Sequence, residues 1–383
     1  MRGERPLNLL EAGTPALVLD RGKLRENCER LTRRCNELGT RLRPHMKTLK
    51  SIDAAQFAID PSHGGIAVAT LNEAEYFADK GLVDIQYAVC IAPDKLPRAL
   101  DIGHKAPMFS FFVDSLYTAQ CAIELAIRRN VRLRIWLEVD CGEHRTGVDP
   151  DDPAMVDIAR LLMHPAVTFE GLATHAGHSY NASGPESLRR IADHERATID
   201  AAARKLRASG IAVSGVSIGS TPTATHLPSA EGLTEVRAGV YMAGDLFQVA
   251  IGSMHLDQVA VTVLASVISH NSRRNQIVLD AGGLALSKDR STANGPGPDQ
   301  GYGLVLDKRS NSLVPDLTVV DVHQEHGEIR SSTPLPFERF PIGSKVRIVP
   351  NHVCMTAAMY ERYLVVDGSE RVVDIWGRTG GWS

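Results

Sequence analysis

The 383-residue sequence has no long hydrophobic run. Nowhere do about 18 apolar residues follow one another, so no membrane-spanning helix is expected. The first residues, MRGERPLNLLEAGTPALVLD, lack the apolar core of a signal peptide. Charge bias is missing as well. With 42 Lys and Arg against 45 Asp and Glu the net charge is −3, which offers no electrostatic case for a nucleic acid or an anionic membrane as partner. Six cysteines (Cys28, Cys35, Cys90, Cys121, Cys141, Cys354) are scattered without CxxC spacing. That pattern fits reduced thiols in a cytoplasm better than a disulfide framework. No GxGxxG follows the first strand-like run, which weakens a doubly wound dinucleotide-binding reading, and no repeat or low-complexity tract is present.

What the sequence does have is alternation. Ala16–Asp20 reads as a strand, and Asp20 caps a helix running to about Leu38. Eight strand-like runs follow, near Arg41–Pro44, Gly65–Ala69, Asp84–Val89, Met108–Val113, Leu133–Val139, Thr168–Thr174, Ala212–Ile218 and Glu235–Ala238, with helical patterns between them. Strands alternating with helices predict a parallel (β/α)8 barrel of the TIM type over residues 16–250. Beyond residue 250 short β-rich runs replace the alternation, punctuated by turns such as Asp367-Gly368. Residues 251–383, joined by 1–15, are expected to form a mostly antiparallel β domain.

In such a barrel the functional residues sit at the carboxyl ends of the strands. Lys47, in Arg43-Pro44-His45-Met46-Lys47-Thr48-Leu49-Lys50, follows the first barrel strand. In isolation it reads as a solvated surface lysine. At a strand end, opening to a cleft, its amine is also suited to forming a Schiff base. Thr70 follows the second strand, Arg145 the fifth, and His175 and Tyr180 the sixth. Gly219-Ser220-Thr221 follows the seventh and Gly239 and Tyr241 the eighth. The turn at 219–221 reads blandly as a helix cap. Paired with a second glycine loop it also reads as a phosphate cup. A Schiff-base lysine together with a phosphate cup points to pyridoxal 5′-phosphate, with Arg145 near the pyridine ring and His175 stacked on it. His175 otherwise reads as a core histidine.

The β domain contributes Pro350-Asn351-His352-Val353-Cys354. If this stretch is a strand end, alternation puts His352 and Cys354 on one face. Imidazole and thiolate together suit a divalent metal, with zinc favoured on softness and magnesium or manganese also open. The bland reading of Cys354 is a small buried hydrophobe.

With these stretches assembled, the chain resembles the fold-type III pyridoxal phosphate enzymes of the D-threonine aldolase and D-serine dehydratase family, whose barrel is alanine-racemase-like. The likeness is carried by TPALVLD, RPHMKTLKS, ATLNEAE, YAVCIAP, GEHRTGV, THAGHSY, SIGSTPTA, TEVRAGVY, LDAGG, QEHG and PNHVCMT, from about Thr14 to Trp382. It implies that Lys47 is the Schiff-base lysine, that His352 and Cys354 are metal ligands, and that the protein is a homodimer. In that family His-x-Cys marks dehydratases and His-x-Asp marks aldolases, so Cys354 leans to dehydration. The implied activity is elimination from a β-hydroxy D-amino acid (D-serine, D-threonine or D-3-hydroxyaspartate) to a 2-oxo acid and ammonia. A retro-aldol enzyme, a non-catalytic pyridoxal phosphate protein and a simple racemase are the alternatives.

Overall fold

The computed structural model describes residues 8–61, 63–306 and 313–382. Residues 1–7 of the expected N-terminal addition, and 307–312 of the β domain, lie outside the described residues. The described chain forms two compact units, one built from 29–239 and one from residues up to 28 together with 240–380. The sequence reading draws its boundaries at 15/16 and 250/251 instead. The difference at the start has a direct cause. Strand β1 (Ala16–Asp20) hydrogen-bonds within the sheet of the second unit, and the chain enters the first unit through helix α1 (Arg21–Glu37).

In the first unit, eight parallel strands are found among the described residues, one for each expected run. They are β2 (Arg41–Pro44), β3 (Ile66–Val68), β4 (Ile85–Cys90), β5 (Ser110–Val113), β6 (Leu133–Glu138), β7 (Val167–Ala173), β8 (Gly215–Ile218) and β9 (Glu235–Ala238). Their order is β2-β9-β8-β7-β6-β5-β4-β3. A parallel bridge between His45 and Ala67, with Met46 N–H donating to Ala67 C=O at 2.8 Å, joins the two ends and closes the barrel. Parallel strands need crossovers, and helices supply them: α2 (Ile52–Ala58), α3 (Leu71–Asp79), α4 (Leu96–Lys105), α5 (Leu116–Arg129), α6 (Ala154–Leu161), α7 (Pro185–Ala208) and α8 (Thr221–His226). Helix α5 shows how local sequence builds one. The Ser115 hydroxyl caps it by accepting from Thr118 N–H, Ala119, Ala122, Ile123 and Ala126 recur on its buried face, and Asn130 ends it in the left-handed region at φ 50°.

The barrel interior is not wholly apolar. Glu235 of β9 is buried and accepts from Arg43 at 2.9 Å, Arg41 at 2.7 Å, Gln86 at 3.1 Å and Ser217 at 2.7 Å. Burial alone would raise its carboxyl, but the guanidiniums of Arg43 and Arg41 prevail and hold it down to about 2.

In the second unit, nine described strands form one sheet. After β1 come β10 (Val261–Asn271), β11 (Gln276–Leu279), β12 (Gly303–Leu306), β13 (Leu313–Val322), β14 (Gly327–Arg330), β15 (Lys345–Pro350), β16 (Arg362–Val366) and β17 (Asp374–Gly377). The order is β11-β14-β13-β12-β15-β10-β1-β16-β17, and an extra β10–β11 pairing curls six of the strands into a closed ring. All pairings are antiparallel except β1–β16. Strands β12 and β14 were not expected from the sequence. Each is four residues long and opens on a glycine.

Candidate active site

Lys47 stands where the strand logic puts it, just past β2. Met46, Thr48 and Leu49 on either side are wholly buried, whereas Lys47 is exposed. Its loop is pinned from two directions. Lys50 N–H donates to Met46 C=O at 2.7 Å, and the Lys50 ammonium pairs with buried Glu73 at 3.1 Å. Lys50 adopts φ 51°, a left-handed backbone for a non-glycine residue. Glu73 also accepts the Ala69 N–H at 3.0 Å, so one carboxylate ties together the loops after β2 and β3. Thr70 is the N-cap of α3. Its hydroxyl accepts Glu73 N–H at 3.1 Å and donates to the Glu73 carboxylate at 3.3 Å.

After β6, Asp140 organises the loop that carries Arg145. Its carboxylate accepts the N–H groups of Gly142 at 2.8 Å and His144 at 3.1 Å and meets the His144 ring at 2.8 Å, while His144 sits at φ 57°. Arg145 itself is exposed. After β7, His175 donates from Nδ1 to the Gly219 carbonyl, so its tautomer is fixed. Burial first, and then the positive charges of Lys47, Arg145 and Arg237, push this ring down to about 3, with only the bond to Gly219 opposing. His45 is driven the same way, by burial and by Lys47, Arg237 and His175. Tyr180 lies in the short helical turn Gly177–Asn181, half-buried.

Ser220 is the N-cap of α8. Its hydroxyl accepts Thr223 N–H at 3.2 Å and meets the Ser179 hydroxyl at 3.0 Å. The two glycines of the cup serve packing. A Cβ on Gly219 would lie 1.9 Å from the Arg237 carbonyl oxygen, and one on Gly239 would lie 2.6 Å from that of His45. Their smallness lets the barrel strands end side by side. Tyr241 is buried in the turn Val240–Met242, which belongs to the second unit.

The metal-ligand candidates are also in the second unit, and here the strand argument is corrected. β15 ends at Pro350. His352 is the N-cap of helix α11 (Val353–Thr356), with extended φ −135° and ψ 100°, and Cys354 lies in the helix's first turn. A helix start, not strand alternation, brings them together, and the imidazole and thiol are hydrogen-bonded. The His352 Nδ1 contacts Asp289 at 2.6 Å, and Asp289 accepts from the Ser291 hydroxyl at 2.6 Å. Burial would lower His352, yet the bonds to Asp289 and Cys354 overcome it and hold the ring up to about 11. Wholly buried Asp245 supports the pair from behind. It caps helix α9 (Leu246–Ala250) through Gln248 N–H at 2.8 Å and accepts Val353 N–H at 3.0 Å. In a second cluster Asp321 and His323 are exposed and Glu328 is half-buried and engaged by Arg330 at 2.7 Å.

Arg237, Glu195, His45, Asp289 and Asp245 carry no role in the sequence reading. Arg237, buried at the end of β9, could have been found from its place at a barrel strand end. His45, the residue directly after β2, carries the same signal, whereas Glu195, Asp289 and Asp245 meet partners remote in sequence.

Comparison with known proteins agrees with this architecture. The alanine racemase N-terminal domain family matches residues 19–246, and the serine dehydratase domain matches residues 260–366. The chain belongs to the alanine racemase N-terminal domain family, in the combination with a serine dehydratase domain. It is 40% identical over 381 residues to D-threo-3-hydroxyaspartate dehydratase of Delftia sp. (strain HT23), covering 98% of this chain and 99% of that one. It is 32% identical to D-serine dehydratase of Dictyostelium discoideum, covering 96% and 97%. A solved structure described as a cysteine-to-alanine mutant of D-threo-3-hydroxyaspartate dehydratase in the metal-free form superposes with a TM-score of 0.94 at 38% identity, covering 98% and 100%.

Proposed function

We propose that the chain is a lyase that removes water from β-hydroxy D-amino acids, with D-threo-3-hydroxyaspartate and D-serine the leading substrates, giving a 2-oxo acid and ammonia. The observation that carries dehydration is the contact between His352 and Cys354, the histidine-and-thiol donor set that marks dehydratases in the resembled family. Names of relatives similar over their whole length support the same reading.

Two groups are implied, and the residues fit both. Burial keeps His45 and His175 neutral, Lys47 and Arg237 act on both and Arg145 on His175, an environment for an anionic, ring-bearing ligand. A thiol and an imidazole whose Nδ1 is already held by a carboxylate make a donor pair for a divalent metal, provided the cation displaces the thiol proton and the second ring proton. When bound, pyridoxal phosphate supplies an electron sink for charge at the carbon beside an amino group, and the metal supplies a Lewis acid toward a hydroxyl. Lys47 would hold the cofactor through its amine. His175, neutral and fixed through Nδ1, would offer a flat face to the ring, and Arg145 would approach the ring edge. Gly219, Ser220, Thr221 and Gly239 would receive the phosphate, and Thr70 and Tyr180 would line the cofactor. Once the substrate amine has displaced it, Lys47 Nζ would be free to take the proton from the α carbon. His352 and Cys354 would hold the metal, for which zinc is favoured by the thiol, with magnesium or manganese as alternatives. A homodimer in the cytoplasm is part of the proposal. Among the described residues no helix is long and apolar enough to cross a membrane.

The test is product analysis after incubation with D-threo-3-hydroxyaspartate and with D-serine. Oxaloacetate or pyruvate with ammonia is expected. Glycine with glyoxylate from the first substrate would replace dehydration by retro-aldol cleavage. Lys47→Ala should abolish both the cofactor's visible absorbance and turnover.

A further inference from the structure

Helix α7 buries a stripe of residues three or four apart: Leu188, Ala192, Glu195, Ile199, Ala202 and Leu206. Glu195 alone on this stripe is charged, and it is 0% exposed. A carboxyl in an apolar stripe is costly unless its oxygens are bonded. Here one of the two, Oε1, is bonded to main chain. Glu195 Oε1 accepts the N–H of Ala176 at 3.0 Å and the N–H of Gly219 at 3.1 Å. Ala176 follows His175, and Gly219 precedes Ser220. The His175 ring in turn donates to the Gly219 carbonyl. One carboxylate oxygen therefore spans the loop after β7 and the loop after β8, and the histidine it steadies bonds back across the same gap.

We propose that Glu195 is a positioning residue of the cofactor site, holding the ring-facing histidine loop and the phosphate-facing serine loop at a fixed separation. This rests on the reading of the β2 end as a pyridoxal phosphate site. Glu195 acts through backbone, so what it must keep is an acceptor oxygen at the right reach. Gln retains that oxygen, Asp is one methylene short, and Ala lacks it.

The experiment compares wild type, Glu195→Gln, Glu195→Asp and Glu195→Ala, each stripped of cofactor and titrated with pyridoxal 5′-phosphate while visible absorbance is followed. Amide hydrogen exchange at Ala176 and Gly219 is measured on the cofactor-free proteins. Glu195→Gln is expected to keep the wild-type affinity and spectrum. Glu195→Asp and Glu195→Ala are expected to raise the dissociation constant about tenfold or more and to speed exchange at both amides. If Glu195→Ala does not fold, Glu195→Asp carries the comparison. Wild-type affinity and unchanged exchange in a folded Asp or Ala variant would overturn the proposal. So would a Gln variant as weak as Asp, because charge rather than hydrogen-bond reach would then be at work. Borohydride reduction of wild type with pyridoxal phosphate separates the two readings. If the label does not land on Lys47, the site reading fails, while exchange at Ala176 and Gly219 still decides whether Glu195 clamps the loops.

Discussion

His352 illustrates how a single side chain is prepared by groups far away in the chain. Its Nδ1 is occupied by Asp289, 63 residues earlier, and the backbone just after it is held by Asp245, 108 residues before Val353. A carboxylate on one ring nitrogen fixes the ring's orientation and makes the other nitrogen a better ligand. Asp289→Asn should therefore weaken metal binding about 10- to 100-fold, read by competition with a chromophoric chelator, and should leave cofactor absorbance unchanged. Wild-type metal affinity in this variant would remove Asp289 from the site. His175 is the opposite case. Burial and, after it, the cations nearby keep its ring neutral, and the sequence shows only a histidine at a strand end.

Among the elements, β9 does most to connect fold and chemistry. Period-2 alternation turns Glu235 and Arg237 the same way. Glu235 pairs with Arg43 and Arg41, with Asp84 sharing Arg43, and Arg237 donates to the Ser217 hydroxyl and the Thr174 carbonyl and lies 5.4 Å over the Phe112 ring. Removing one partner of a buried ion network leaves an uncompensated charge. Glu235→Ala should cost about 3–5 kcal/mol, measured as a shift in the urea midpoint. The pH dependence has a definite sign. Glu235 is held down to about 2 from 4.5, so the unfolded chain takes up a proton more readily. The stability this group contributes is complete above about pH 4.5 and is lost as pH falls toward 2. Urea unfolding of wild type at descending pH should show that decline, and Glu235→Ala should show less of it. An equal slope in both would rule out Glu235 as a source. Helix α8 teaches a smaller lesson. The bland reading of Ser220 as a cap is what the structure has, and the phosphate reading is added to it rather than replacing it.

For the molecule as a whole, the two proposed chemistries draw on different units of the chain: Lys47 and the barrel loops in one, His352 and Cys354 in the other. That separation predicts separable losses. Dialysis against a strong chelator should stop formation of oxaloacetate from D-threo-3-hydroxyaspartate while the cofactor's absorbance persists, and added zinc, magnesium or manganese should be ranked by recovery of rate. Loss of the absorbance along with the metal would contradict this division. Light scattering on the eluted protein tests the dimer.

Much of this architecture was legible in the linear chain. The eight barrel strands were readable because apolar alternation, helix caps and short loops are local properties. The position of Lys47, Arg145 and His175 followed from counting strands to their carboxyl ends. The sheet that β1 joins, the helix start that unites His352 with Cys354, and the strands β12 and β14 were not readable in this way. Neither were Glu195, whose two amide partners lie 19 and 24 residues away, or Asp289. Local periodicity comes from the backbone's own repeat and is written residue by residue. Which buried carboxylate meets which amide or imidazole depends on how remote segments pack, and only the tertiary structure decides that.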